Sequence, residues 1–363
     1  MIAIEAAMFA LGAVFFAVGA TRQIAGGRLY VAVALVILAT VLLLIVVHEP
    51  GIAGEARFGL FQESEGASVF SPWADPPAAG FWLKALGVWL AAWMAVDQLA
   101  DRRAATPGGQ RILDIAVPVL FGAFLFVIWE WVTVGFGVPG VLMPSPSAIG
   151  AAIAGSVPIL AQDFVQTFVR SVIVGWALGS ALGFAVAIIA DRIPFLRRGL
   201  LPLGNFVAAL PIIGIAPIMV MWFGFDWHSK VAVVVVMTFF PMLVNTVTGL
   251  EAAGRLERDL MRSYGASYWS TLLSLRLPAA MPFVFNALKI NSTLALIGAI
   301  VAEFFGTPIV GMGFRISTEV GRMALDMVWA EIAVAAVAGS AFYGIIALVE
   351  RAVTFWHPSY RRS

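Results

Sequence analysis

Residues 258–282 read RDLMRSYGASYWSTLLSLRLPAAMP, a polar, amphipathic stretch set between two strongly apolar ones, 231–247 and 283–300. At helical spacing Leu260, Tyr264, Leu272 and Leu275 punctuate a surface that also carries Arg258, Asp259, Arg262 and Arg276. Gly265 is expected to interrupt the helix, and Pro278 with Pro282 to end it before the next apolar run. A connection between two adjacent spans needs only a few residues. The 250–282 insertion is far longer, which suits a segment held by something outside the membrane.

The rest of the composition fixes the solvent. Of 363 residues 61% are hydrophobic and 12% charged, against roughly 25% charged in a soluble domain; the mean hydropathy is +0.96. Apolar runs close to the ~20 residues that cross a bilayer recur along the chain. The expected fold is therefore an all-α polytopic membrane protein, because only internally hydrogen-bonded segments can cross lipid. Nine spans are predicted, at about 1–20, 29–47, 81–99, 112–133, 168–190, 201–223, 231–249, 283–304 and 328–350. The first has neither a basic leader nor a clear cleavage site, and reads as a retained span. Residues 48–80 form an acidic loop punctuated by Pro50, Pro72, Pro76 and Pro77. The Gly/Pro/Arg linker 101–111 is the best candidate for a domain boundary. A three-span module, 1–111, is thus expected to precede a core, 112–363.

Lysines and arginines are distributed unevenly between the two sides. With 250–282 cytoplasmic, Arg22, Arg28, Arg102, Arg103, Arg111, Arg192, Arg197, Arg198, Arg255, Arg351, Arg361 and Arg362 fall on the same side. Arg57, Lys84, Lys230, Arg315 and Arg322 fall opposite. The N-terminus and the acidic loop are then outside and the C-terminus inside. The net charge of +1 carries no sign of nucleic-acid binding, and the chain has no cysteine, which excludes disulfides, thiolate metal sites and cysteine nucleophiles. His48, His228 and His357 stand alone without a second ligand at metal spacing, and no catalytic constellation is present. The lysines Lys84, Lys230 and Lys289 follow Leu, Ser and Leu, so none belongs to a phosphate-binding Gly-Lys-Ser/Thr loop.

The 258–282 stretch resembles the cytoplasmic coupling loop of bacterial ABC-importer permeases, whose signature is E-A-A, three residues, Gly, nine residues, then I-x-L-P. Nine residues after Gly265 come Leu275, Arg276, Leu277 and Pro278. The E-A-A positions fall on Asp259, Leu260 and Met261, keeping only the acid. The literal Glu251-Ala252-Ala253 upstream is out of register, since Glu257 stands where its glycine would be.

Within that group, residues 112 onward are most similar to the permeases importing nitrate, sulfonates, taurine, bicarbonate and heterocyclic vitamin precursors. The matching pieces begin with Trp129-Glu130, Pro139 and Leu142-Met143-Pro144-Ser145-Pro146-Ser147, followed by Thr167 and Arg170. Pro211, Ala216-Pro217, Trp222-Phe223-Gly224, Ser229-Lys230 and Phe240-Pro241 continue the series. Ala302-Glu303, Gly311-Met312-Gly313, Glu350-Arg351 and Trp356-His357-Pro358 complete it.

The resemblance implies a non-catalytic permease subunit of the bacterial cytoplasmic (inner) membrane. A second permease chain, alike or different, would share the pathway. Two cytoplasmic ATPases binding ATP and Mg would sit below, and an extracytoplasmic solute-binding protein above. Arg258, Asp259, Arg262, Tyr264, Gly265 and Ala266 would contact the ATPase, with Leu277 and Pro278 stopping the helix at the membrane; the alternative is a helix lying on the headgroups. No cofactor is expected on the chain itself, and the solute would be a small polar or anionic organic molecule or an oxyanion.

Several residues in the spans are candidates for the pathway. Gly175, Gly179 and Gly183 repeat every four residues, a ridge that lets helices approach closely. Pro202, Pro211 and Pro217 break the span after it, and a broken helix at membrane depth faces protein or a water-filled cavity. This directs attention to Asn205, Pro211 and the 219–222 segment, including Met219 and Trp222. Trp222, Trp227 and Trp329 also read as interfacial anchors.

Lys289, with Asn286 and Thr293 at three- and four-residue steps, would place three polar groups on one face toward an anionic or polar solute. The competing reading is a lysine snorkelling to the cytoplasmic headgroups. Glu303 and Glu130 lie near outer span ends, where they would orient helix ends or gates. A different class remains open, an ion-coupled secondary transporter, which needs intramembrane carboxylates and internal repeats. An integral-membrane enzyme would need clustered His, Asp or Glu at a membrane face.

Overall fold

The computed structural model describes residues 106–135, 138–208, 210–306 and 309–356, together with a short hairpin at 61–64 and 67–70. The expected spans at 1–20, 29–47 and 81–99, the rest of the acidic loop, and residues 101–105 of the linker lie outside the described residues, as does His357-Pro358. The hairpin pairs β1 (Phe61–Ser64) with β2 (Ala67–Phe70), antiparallel, with Phe61 opposite Phe70 and Ser64 opposite Ala67. It is a feature of the acidic segment that the loop reading did not anticipate, because two four-residue strands leave almost no periodic signal.

The chain divides into two compact units, one through Ala151 and one from Ala152. In the first, helix α1 (Pro107–Gly135) is a candidate membrane span. Its start is capped by Thr106, whose Oγ1 accepts the Gly109 N–H at 3.2 Å. Leu113, Ala116, Leu120, Val127 and Trp131 are buried along it, the spacing of one packed helical stripe. The short helix α2 (Pro146–Gly155) follows. Its first turn is fastened to the end of α1 by Glu130, a buried carboxylate that accepts from Ser147 N (2.9 Å) and Ser147 Oγ (2.7 Å). Placing an acid over exposed helix N–H groups is electrostatically favourable.

The second unit begins with α3 (Val157–Phe164), a π-helical segment (Val165–Ile173) and α4 (Val174–Arg192), which run together as one 36-residue helix. Next come α5 (Pro194–Ala208), α6 (Ile212–Phe223) and α7 (Trp227–Glu251). The polar insertion forms α8 (Arg255–Ser263) and the single turn α9 (Tyr268–Thr271). A second π-helical segment (Leu272–Arg276) leads without a break into α10 (Leu277–Glu303), giving another continuous 36-residue helix. The short α11 (Met312–Gly321) and the long α12 (Leu325–Val353) complete the unit. Five helical stretches in the described residues are long and apolar enough to cross a membrane; α6 is a shorter apolar helix.

Three features differ from the sequence expectation. The span expected at 201–223 is two helices, α5 starting at Pro194 and α6 at Ile212, with Pro211 in extended conformation (φ −68°, ψ 124°) between them. Proline removes the N–H that would continue the ladder and biases its neighbour to extended backbone. The second difference is at Pro278 and Pro282, which do not end a helix: Pro278 occupies the first turn of α10 and Pro282 lies inside it. Pro278 directly follows the π-helical turn, whose wider spacing accommodates a ring that donates no N–H, so the preceding helix runs on. The third is length. The 36-residue helices extend well beyond the expected 168–190 and 283–304, because helical hydrogen bonding continues past the apolar stretch into polar turns.

The core of this unit is the packing of α7 against α4 and α10. The glycine ridge of α4 lies on α7: a Cβ on Gly175 would come within 2.5 Å of Val234 Cβ. Cβ atoms on Gly179 and Gly183 would overlap Thr238 Oγ1 and the Phe239 carbonyl. Asn291 of α10 is buried in the same seam, its Nδ2 donating to Ser180 Oγ (2.9 Å) and to the Thr238 carbonyl (2.8 Å), so it joins α4, α7 and α10 at one point. Trp176 Nε1 adds a bond to the Leu288 carbonyl at 3.1 Å. Phe168, Val172, Val234, Ala295 and Ala299 fill the space between, with Phe342 of α12 edge-on to Phe168 and Trp176.

Candidate coupling surface and pathway

Helix α8 begins after Gly254 and ends in a Schellman motif. The N–H of Ala266 reaches the Met261 carbonyl (3.0 Å), that of Gly265 the Arg262 carbonyl (2.9 Å), and Gly265 has φ +67°. The expected turn at Gly265 is therefore a left-handed helix cap, a conformation that a side chain would strain. No residue of α8 is buried. Leu256, Leu260 and Tyr264 are 84%, 57% and 81% exposed at successive four-residue steps. Arg258, Asp259 and Arg262 flank this apolar ridge, Arg262 Nη1 lying 3.7 Å from Asp259 Oδ1.

The base of this projecting helix is held firmly. Arg276 donates from Nη1 and Nη2 to the two oxygens of Asp191 (2.7 and 2.6 Å) and from Nε to the Leu250 carbonyl (3.0 Å). Tyr268 Oη donates to Asp191 Oδ2 at 2.9 Å, and the Arg192 guanidinium lies 4.9 Å from the centre of the Tyr268 ring. Beneath them Leu272 packs with Leu250, Ala280 and Ile188. One side chain thus ties the ends of α4 and α7 to the start of α10. Sequence reading took Arg276 only as surface charge. The signal for its role was an acid, Asp191, at the end of one apolar run and an arginine inside the Leu275–Pro278 signature.

The other end of the bundle carries a second polar cluster. Asp163, Glu303 and Glu331 are buried there on α3, α10 and α12. Thr167 Oγ1 lies 2.8 and 2.9 Å from the Glu303 oxygens and accepts the Met312 N–H at 2.8 Å; Glu303 Oε2 also accepts the Gly313 N–H at 2.8 Å. Asp163 accepts the Gly311 N–H (2.6 Å) and pairs with Arg315 Nε (2.9 Å). A Cβ on Gly311 would come within 2.8 Å of the Glu303 carboxylate; only glycine lets the backbone approach this closely. Buried Lys230 donates to the Phe225 carbonyl (2.7 Å), the Asp226 carbonyl (3.2 Å) and the Gly306 carbonyl. It fastens the α6–α7 turn to the segment after α10. Asp163 and Asp191 are 28 residues apart on one helix, roughly 40 Å at 1.5 Å per residue, while the hydrocarbon core is about 30 Å thick. The two clusters therefore bracket the apolar slab.

The pathway candidates separate. Asn286 and Thr293 are both exposed on α10, on one face with Ile290 and Ile297. Asn286 Nδ2 lies 3.4 Å from Asn245 Oδ1 of α7. Lys289 does not join them. Its Nζ lies 2.7 Å from Glu350 Oε2 of α12, with the two side chains 18% and 7% exposed, so the expected three-residue polar face is a two-residue one. The physical reason is the high cost of a charge in an apolar span without a partner, which Glu350 relieves. Pro211 is exposed at the start of α6, Asn205 lies within α5, and Trp222 is 71% exposed. Met219 is half-buried against Ala216, Val233 and Ala302. Glu303 is 2% exposed and engaged as described, away from the α10 face of Asn286.

A bundle of long apolar helices, held by small residues and buried polar ties and presenting one exposed amphipathic helix from a braced base, defines a multi-pass membrane protein. Residues 179–355 match the model of the family described as binding-protein-dependent transport system inner membrane component. The similarity extends to individual members. A formylaminopyrimidine transport permease, ThiX, of Halalkalibacterium halodurans is 33% identical over 189 residues, 52% of this chain and 75% of the relative. The riboflavin transport system permease RibX of Chloroflexus aurantiacus is 29% identical over 237 residues, 65% and 88%. A probable ABC transporter permease of Haemophilus influenzae is 29% identical over 215 residues, 59% and 87%. The chain belongs to this family of inner-membrane permease components. Its membership implies an ATPase and a solute-binding protein as partners.

Proposed function

We propose that the chain is one of two permease subunits, alike or different, that form the transmembrane route of an ATP-driven importer. Helix α8 couples them to separate cytoplasmic ATPases that bind ATP and Mg. The observation that carries this reading is the exposed ridge of Leu256, Leu260 and Tyr264 on a helix whose base is pinned through Arg276 to two spans. A push on α8 reaches α4, α7 and α10 together, as alternating access by rigid-body gating requires. Arg258, Asp259, Arg262, Tyr264, Gly265 and Ala266 form the contact surface.

The α10 face of Asn286 and Thr293, with Asn205, Pro211, Met219 and Trp222 on the broken α5–α6 pair, supports a pathway lining. Residues 112–363 form the core with six spans, α5 and α6 together counting as one. Residues 1–111 are an accessory module of three more, with the N-terminus outside and the C-terminus cytoplasmic. The cargo is a small polar or anionic organic solute or an oxyanion handed over by the binding protein. The names of two relatives, a formylaminopyrimidine permease and a riboflavin permease, support a nitrogen heterocycle as one such solute.

The test is affinity purification from native membranes in mild detergent, with partners identified by mass spectrometry and ATPase activity assayed. Recovery of a P-loop ATPase, lost on Gly265→Val, is expected. A chain that purifies alone and is indifferent to that substitution overturns the coupling reading.

A further inference from the structure

Between α4 and α5 the chain turns through Arg192-Ile193-Pro194-Phe195-Leu196-Arg197-Arg198. Ile193 is extended (φ −113°, ψ 100°), and α5 starts at the next residue. Past this elbow, α5 leaves one face uncovered in its own unit. Phe195 is 85% exposed, and Leu203 and Phe206 continue the same face at helical spacing, with Arg198 and Pro202, also exposed, between them. An uncovered apolar stripe on a helix rising from the end of a membrane span is suited to acyl chains, with the arginine at its foot at headgroup level.

The charges at the elbow do not cancel. Asp191 is engaged by Arg276, and Glu251 pairs with Arg197. Among the described residues Arg198 has no ion-pair or hydrogen-bond partner, and Arg192 only stacks on Tyr268. Two arginines, one at each end of the elbow, thus remain without an acid beside the projecting Phe195. Guanidinium groups bind phosphate oxygens through two parallel N–H donors, and an arginine stacked on a ring keeps its edge donors available.

From this arrangement we infer that the α4–α5 elbow is a binding site for an anionic phospholipid, its phosphate held by Arg192 and Arg198 and its chains lying along Phe195, Leu203 and Phe206. The site is linked to the coupling segment. Arg192 covers Tyr268, whose hydroxyl donates to the same Asp191 that holds Arg276. An anionic headgroup drawing on Arg192 therefore acts on the base of α8. The inference requires only that these helices lie in a bilayer, and its readout is independent of transport.

The full chain, released from nanodiscs containing equal amounts of phosphatidylglycerol and phosphatidylcholine, is examined by native mass spectrometry for retained lipid. Wild type is expected to retain phosphatidylglycerol preferentially, with a loss of about fivefold for each of Arg192→Gln and Arg198→Gln. Arg198→Gln removes no hydrogen bond or ion pair among the described residues, so it is the variant least open to a folding defect. Arg192→Lys/Arg198→Lys should recover much of the preference, and Arg351→Gln, at the end of α12, should leave it unchanged. Equal retention of both lipids by wild type overturns the inference, as does retention indifferent to Arg198→Gln. Displacement of the lipid by inorganic phosphate would show a free-anion site instead. Loss of the co-purifying ATPase with lipid preference intact would assign the elbow to that partner.

Discussion

Arg276 and Asp191 are joined by two parallel hydrogen bonds of 2.7 and 2.6 Å, with side chains 13% and 3% exposed. The pair lies where the last turn of α4 meets the π-helical turn that opens α10. π-Helical turns recur at functional positions because the extra residue re-aims side chains. Here the turn at Leu272–Arg276 delivers the guanidinium both to Asp191 and to the Leu250 carbonyl. The other π-helical segment, Val165–Ile173, does the same for Thr167 at the opposite end.

Breaking this pair on one side should be costly, because the remaining charge is left buried. Asp191→Ala or Arg276→Leu is expected to destabilise the protein by about 3–5 kcal/mol, and the double variant by much less than the sum. Thermal unfolding of the purified chain in detergent measures both. Strictly additive losses would show that the two residues do not act as a unit.

Gly265 sits at φ +67°, with open space where a Cβ would project, so a substitution there strains the backbone without a clash. Gly265→Val should cost about 1–3 kcal/mol locally, fraying α8 while leaving the membrane bundle folded. The expected result is an unchanged unfolding midpoint with weakened ATPase capture in a pull-down.

The glycine ridge should tolerate no enlargement. Gly179→Val forces its side chain into Thr238 and Val235, at a cost of about 1–3 kcal/mol from overpacking. Gly344→Ala on α12, which meets nothing within 4 Å, should be neutral or slightly stabilising. Comparing the unfolding temperatures of the two variants checks whether close helix approach, rather than glycine content, is what matters.

Lys289 and Glu350 offer a test that separates structure from transport. Lys289→Met or Glu350→Gln alone should lower stability by about 3–5 kcal/mol, and together they should recover most of it. Uptake by the recovered double variant in proteoliposomes is then informative. Normal uptake assigns Lys289 to holding α10 against α12, whereas a raised KM with stability restored assigns it to the solute.

The membrane class, the positions of five of the six later spans and the projecting polar helix were legible in the residues, because each depends on a local pattern. An apolar run of about 20 residues is a span wherever it falls, and the polar 258–282 stretch was legible from its amphipathic pattern and its resemblance to a permease coupling loop. The glycine ridge was legible for the same reason. The break at Pro211 was legible as a perturbation, though not as two separate helices. The continuation through Pro278 was not legible, since it depends on a π-helical turn that no residue type announces.

What the tertiary structure alone decided is which charges meet. Lys289, read either as a member of the Asn286–Thr293 face or as a lysine reaching the headgroups, pairs with Glu350, 61 residues later on another helix. Arg276 looked like surface charge and is the clasp of three helix ends. Glu303, read as orienting a helix end or a gate, is the acceptor for Thr167 and Gly313, partners that the sequence does not name. Hydrophobicity is summed along the chain and can be read from it one window at a time. A buried charge is satisfied by a partner on another helix, so its role is set by how the helices rotate and approach, and only the packed bundle determines that.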